Sequence, residues 1–148
     1  MVRYGGFTAW AEDSIRRAGL EGKALTMDDV LRVTQALGAI RCGASATEEE
    51  LHAQVAQALC AAGLEPVHEA RLAPRCRIDF MVGDIGVEIK KKRPERTRLM
   101  AQLARYAACA QVRALIVVAP CGVNLPRTIG GKPVTMLALE RLWGISLP

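Results

Sequence analysis

Two carboxylates and a lysine stand close together in the stretch RCRIDFMVGDIGVEIKKK, residues 75–92. The Gly-Asp dipeptide at its centre is a two-residue hairpin signal between alternating runs. A turn centred there places Asp79 opposite Glu88 and puts Lys90 on the same face, because side chains alternate along a strand. Opposed carboxylates repel each other, and a divalent cation between them would remove that repulsion. With Lys90 able to contact a phosphate or help deprotonate water, the pattern predicts metal-assisted phosphodiester hydrolysis.

The other face of the predicted hairpin is wholly apolar. We expect this face to pack against helices, with the carboxylates on the opposite side. The simplest alternative is a hairpin whose polar face is merely solvated, since Glu-x-Lys is a common tripeptide. The apolar face consists of Ile78, Phe80, Val82, Ile85, Val87 and Ile89.

A basic segment, KKKRPERTR at residues 90–98, begins at the candidate lysine. It holds six basic residues and one acidic residue, so it carries an excess equal to the whole chain's net charge of +5. Many charged segments are only solvated surfaces, but this one adjoins the candidate site and therefore favours binding to a phosphate backbone. The candidate nucleic-acid-binding residues are Lys91, Lys92, Arg93, Arg96 and Arg98.

The surrounding patterns predict an α/β domain over residues 44–148, preceded by a helical extension over residues 1–43. From residue 47 the expected order is helix, three antiparallel strands, helix, strand and strand. Thr47 and Glu50 fit a capping box at the start of that first helix. The predicted helices span 7–19, 26–38, 47–62, 94–110 and 139–143; the strands outside the hairpin span 65–72, 112–119 and 134–138, with a loop over 120–133.

Polar residues within two of these helices are further candidates for the functional site. Glu48 and His52 begin an otherwise apolar stripe, where they could reach the site. Otherwise Glu48 would favour the helix N-terminus, and His52 would be a boundary histidine. Gln102 lies inside an apolar stripe of its helix, and a buried amide needs hydrogen-bond partners, which a nearby water or ligand could supply.

RIDF followed by VEIK resembles the PD-(D/E)XK nuclease superfamily, in which an Asp near the end of one strand precedes Glu-x-Lys on the next. Gln102 and Tyr106 resemble the Gln-xxx-Tyr element of its RecB-like branch. The resemblance covers residues 47–139, and Ile78 stands where the motif often has Pro. It implies a restriction-endonuclease-like fold, a mixed β-sheet flanked by helices, and hydrolysis of DNA with Mg²⁺ or Mn²⁺.

The resemblance also implies a role for each candidate. Lys90 would position or activate the attacking water, and Gln102 would assist. The first helix of the superfamily often offers a Glu to the site and, in RecB-like members, a His, so Glu48 or His52 could play that part. The implied metal ligands are Asp79, Glu88 and the carbonyl of Ile89.

Composition limits the classes of protein to which the chain can belong. At 148 residues and 51% hydrophobic, the chain fits one globular domain. We expect no membrane segment, since no run of about 20 apolar residues occurs, and a cytoplasmic protein, since no signal segment is visible and no cysteines form a CxxC pair. Two alternatives stay open: a catalytically inactive nucleic-acid-binding module, and a structural or assembly protein. The nuclease itself could be a homodimer or part of a larger nucleoprotein complex.

Overall fold

The computed structural model describes residues 27–41 and 46–142, so the helix predicted over 7–19 lies outside the described residues. The described helices and strands follow the predicted order. No helix in these ranges is both long and apolar enough to cross a membrane. The elements are α1 (Met27–Leu37), α2 (Glu48–Ala61), β1 (Pro66–Ala73), β2 (Cys76–Val82), β3 (Ile85–Ile89), α3 (Arg96–Ala107), β4 (Ala114–Ala119), β5 (Thr128–Ile129), β6 (Lys132–Ala138) and α4 (Leu139–Leu142).

Six strands form one mixed sheet in the order β1-β2-β3-β4-β6-β5. Strands β1, β2 and β3 are antiparallel neighbours, β4 runs parallel to both β3 and β6, and β5 pairs antiparallel with β6. The prediction of an α/β protein with a mixed sheet flanked by helices is therefore confirmed. Strand β5, only two residues long, lies inside the segment predicted as a loop.

Both faces of the sheet are covered, and each has its own core. Helices α1 and α2 pack on one face, and α3 packs on the other. Successive side chains of β4 enter the two cores alternately, as predicted for a strand buried on both sides. The first core includes Val33, Leu37, Val55, Leu59, Phe80, Val87, Ile116 and Val118. The second includes Leu72, Ile78, Leu99, Leu103, Tyr106, Leu115 and Val117.

Helix α1, which belongs to the predicted N-terminal extension, shares the first core. Val33 is 2% exposed and Leu37 is fully buried, and both join the cluster formed by α2 and the sheet. The division at residues 43 and 44 stays a prediction. The described part of the extension is nevertheless packed against the main domain rather than only tethered to it.

Leu37→Ala is expected to destabilise the protein by about 2–5 kcal/mol, because it leaves a cavity in a closed core. Leu31, 48% exposed on the same helix, offers a matched substitution. Leu31→Ala should change the free energy of unfolding by no more than about 0.5 kcal/mol. Chemical denaturation of the three proteins measures the difference. Equal effects of the two substitutions would show that α1 contributes nothing to the core.

The hairpin between β2 and β3 has the predicted register. Its turn residue Gly83 has a φ of 61°, the conformation for which glycine is favoured in such turns. The Cα pairs are Phe80 with Val87, Met81 with Gly86, and Val82 with Ile85.

The predicted apolar face is wrong at one position, because Ile78 lies in the second core and not beside Phe80. Ile78 pairs with Ala70 of β1, and the preceding residue, Glu69, has a φ of 52°, a region that non-glycine residues seldom adopt. A Cβ on Gly86 would lie 2.6 Å from Ile78 Cδ1, so glycine leaves the room that this side chain needs.

Candidate functional site

Glu88 is the centre of a buried hydrogen-bonded network between β3 and α3. Only 4% of the residue is exposed. Its Oε1 accepts hydrogen bonds from Lys90 Nζ at 3.1 Å and from Gln102 Nε2 at 3.0 Å, and Tyr106 Oη lies 3.0 Å from Oε2. The alternative of a solvated polar face is therefore excluded for Glu88.

Helix α3 completes this network with two side chains one helical turn apart. Gln102 Oε1 accepts from Lys90 Nζ at 2.8 Å, while Gln102 Nε2 donates to Tyr106 Oη at 2.9 Å. The Tyr106 hydroxyl has one proton and two acceptors at 3.0 Å, Glu88 Oε2 and the carbonyl of Arg77, so it donates to one of them at a time. The spacing of four residues in α3 was the sequence signal for the contact between Gln102 and Tyr106.

The environment of Glu88 disfavours its ionised form. Burial raises the pKa of Glu88 above 4.5, and the negative charge of Asp79 raises it further, against the opposing effect of Lys90. Burial and the nearby Glu88 carboxylate also raise the pKa of Tyr106, so its hydroxyl keeps its proton at neutral pH. A cation placed near Glu88 would offset the cost of its ionisation.

Glu88→Gln is expected to raise the melting temperature near neutral pH, because it removes a carboxylate whose ionisation the fold opposes. The folded-state pKa lies above the unfolded value near 4.5, so the cost is absent below pH 4.5 and grows as the pH rises through the folded-state pKa. The advantage of the variant should therefore vanish below pH 4.5. Thermal melts across pH test this, with Glu65→Gln at an exposed position as the control. A less stable variant at pH 7 would mean that the ion pair with Lys90 outweighs burial.

Asp79 contacts α2 rather than α3. Its Oδ2 accepts a hydrogen bond from the backbone N–H of Ile89 at 2.8 Å. His52 Nε2 lies 4.0 Å from the same oxygen and 3.9 Å from Glu48 Oε1. The expectation that both carboxylates share one open face thus needs correction: Asp79 keeps 24% of its side chain exposed, whereas Glu88 is enclosed by α3.

A second histidine, His68 of β1, contacts the ring of His52. Its Nε2 lies 3.0 Å from His52 Nδ1, and its ring stacks on Phe80 with centroids 4.7 Å apart. One of the two facing nitrogens must carry the shared proton. His52 Nε2 is left buried and, within the described ranges, without a hydrogen-bond partner. His68 is exposed, and the sequence did not predict its contact with His52 because the register of β1 was not fixed.

A Mg²⁺ or Mn²⁺ ion at this site would be held only partly by the protein. In the described part of the chain, no group of three or more His, Cys, Asp or Glu side chains is gathered to hold a metal. Mg²⁺ commonly needs only one or two carboxylates, with waters and substrate phosphates completing its shell. Asp79 and Glu88 would supply two carboxylates, and His52 Nε2, 4.0 Å from Asp79 Oδ2, is a further candidate donor. The backbone N–H of Ile89 donates to Asp79 Oδ2. That the carbonyl of Ile89 is a metal ligand stays a prediction.

Most of the basic segment gathers around Lys90. A cavity of about 250 Å³ at the start of α3 is lined by four of the five predicted phosphate-binding residues, together with Lys90 and Gln102. Arg96 does not line this cavity, and its Nε donates to the carbonyl of Asn124 at 2.8 Å; its predicted role in binding nucleic acid stays a prediction. The four residues in the wall are Lys91, Lys92, Arg93 and Arg98.

The structure places the candidates in two adjoining groups. One contains Glu88, Lys90, Gln102 and Tyr106; the other contains Glu48, His52, His68 and Asp79, which bonds to Ile89. Comparison of the chain with protein-family models, curated proteins and solved structures finds no match. The function is therefore inferred from these residues and their contacts.

Proposed function

We propose that the protein is a metal-dependent nuclease that hydrolyses DNA phosphodiester bonds. The buried Glu88 carboxylate carries the proposal, with Lys90 Nζ 3.1 Å away and Asp79 near enough to raise its pKa. Such an arrangement opposes stability in the absence of a cation, and ionisable groups with shifted pKa values are frequent at catalytic sites. The hydrogen bonds from α3 hold the carboxylate in place, which favours a functional position over an accidental one.

The proposed family is the PD-(D/E)XK superfamily, in its RecB-like branch with the restriction-endonuclease-like fold. A mixed sheet flanked by helices is compatible with that fold. Asp79 and Glu88 stand on adjacent strands, with Lys90 following Glu88 by two residues. The contacts of Gln102 and Tyr106 with Glu88 give the Gln-xxx-Tyr resemblance a physical basis.

The chain's own residues have distinct proposed tasks. Asp79 and Glu88 bind Mg²⁺ or Mn²⁺, with His52 and Glu48 as further candidates on α2. The bound ion would polarise the phosphate and lower the pKa of water. Lys90 contacts the phosphate or holds the attacking water, and Gln102 fixes its ammonium through the 2.8 Å hydrogen bond.

DNA is the proposed partner because the positive charge is concentrated beside this site. Lys91, Lys92 and Arg93 are exposed and follow directly after Lys90. Cations placed there can neutralise phosphates on either side of the reacting bond. The same residues would have no evident task in a structural protein without a nucleic-acid partner.

The proposal is tested by incubating the protein with supercoiled, linear, single-stranded and branched DNA in Mg²⁺, in Mn²⁺ and in EDTA. Cleavage of at least one substrate with either metal, and of none in EDTA, is the expected result. Binding without cleavage of any substrate would favour the inactive nucleic-acid-binding module. Neither binding nor cleavage would favour the structural or assembly protein.

A further inference from the structure

We propose that the cavity at the start of α3 binds the terminal phosphate monoester of a DNA strand. This inference rests on DNA being the partner, as proposed above, but not on cleavage. The cavity measures about 250 Å³, and the residues that line it include five cationic ones and one amide, beside Pro94 and Leu99. Those six residues are Lys90, Lys91, Lys92, Arg93, Arg98 and Gln102.

The single carboxylate in the cavity wall does not cancel this charge. Glu95 caps α3: its two oxygens accept hydrogen bonds from the backbone N–H groups of Thr97 and Arg98, each at 2.9 Å. The helix N-terminus is thereby already satisfied by Glu95. An anion in the cavity would therefore be bound by the lysine and arginine side chains, not by the end of the helix.

The local charge favours a terminal phosphate over a phosphate within the backbone. A phosphodiester carries one negative charge, whereas a phosphate monoester carries about −1.5 to −2 at pH 7 and offers three strong acceptor oxygens. Arg98 can bind two of those oxygens with its planar guanidinium, and lysines can contact the third. Five cations in a small cavity gain more from the more highly charged group.

The cavity also adjoins the proposed reaction site. Lys90 and Gln102 line it, and both are hydrogen-bonded to Glu88. A strand end held there would lie beside the carboxylates that bind the metal. The nuclease would therefore act close to a phosphorylated strand end.

Binding in EDTA tests the inference without any cleavage. Fluorescent duplexes of one sequence would be prepared with a 5′-phosphate, with a 3′-phosphate and with hydroxyl groups at both ends. We expect one phosphorylated duplex to bind about tenfold more tightly than the hydroxyl duplex, as charge-assisted hydrogen bonds would provide. Inorganic phosphate should compete for the cavity and so reduce the difference in affinity between the phosphorylated and hydroxyl duplexes. Equal affinity for all three duplexes would overturn the inference.

Arg98 and Arg96 provide a charge-matched pair of variants on one exposed helical turn. Arg98→Ala should abolish the preference for the phosphorylated end, while Arg96→Ala should keep it, since Arg96 bonds to Asn124 outside the cavity. A preference that survives Arg98→Ala, or is lost equally in both variants, would contradict the assignment. A preference for the phosphorylated end without metal-dependent cleavage would support phosphate binding in the cavity and refute nuclease activity. Metal-dependent cleavage without that preference would support nuclease activity and refute phosphate binding in the cavity.

Discussion

Asp79→Asn and Glu88→Gln are each expected to reduce metal-dependent DNA cleavage by about 10³-fold or more. Each substitution replaces an anionic metal ligand by a neutral amide of nearly the same shape, so it removes charge while preserving volume. Groups that act as a unit lose most of their effect when any one is removed. The double variant should therefore cleave little more slowly than either single variant.

Single-turnover rates at saturating protein would separate this loss from weaker DNA binding. Both variants should bind DNA in EDTA at least as tightly as the unsubstituted protein, because each removes a negative charge near the phosphates. Glu65→Gln, an exposed carboxylate outside the two site groups, should keep the full rate. Cleavage that survives Glu88→Gln would place the chemistry elsewhere in the chain.

Combined replacement of Lys91, Lys92 and Arg93 by Ala is expected to weaken DNA binding by an amount on the order of tenfold or more. Each phosphate contact contributes a slope of roughly 0.9 to the dependence of log affinity on log salt. Loss of up to three contacts should flatten that dependence accordingly. The rate at saturating protein should change little, since these side chains lie outside the network around Glu88.

A charge-matched control replaces Arg32, Arg71 and Arg105, which are exposed at positions outside the basic segment. Fluorescence anisotropy at several salt concentrations would compare the two triple variants. The control should keep most of the affinity and most of the salt slope. Equal losses in both triple variants would mean that only the net charge of the protein matters.

Local chemistry explains why much of the fold could be predicted from the sequence. The turn at Gly83-Asp84 fixes the hairpin register within a few residues. The capping box of Thr47 and Glu50 is present, with hydrogen bonds of 2.8 and 3.1 Å. Both features depend only on neighbours in the chain, so the sequence alone contains the information.

The features that sequence reasoning missed depend on contacts between distant segments. Ile78 lies on an unexpected face and pairs with Ala70, the residue that follows Glu69 and its positive φ in β1. Arg96 Nε donates to the carbonyl of Asn124, 28 residues away, a contact that the sequence did not predict. His68 reaches His52 only because β1 lies beneath α2. No periodicity or spacing encodes these pairings.

Comparison of Lys90→Ala with Lys91→Ala tests the proposed site most directly. The two residues are adjacent and carry the same charge, but Lys90 Nζ contacts Glu88 and Gln102, whereas Lys91 is exposed in the cavity wall. Single-turnover cleavage in Mg²⁺ should fall by about 10²-fold or more in Lys90→Ala and remain near the unsubstituted rate in Lys91→Ala. Equal rates in the two variants would contradict the assignment of Lys90 to the chemistry.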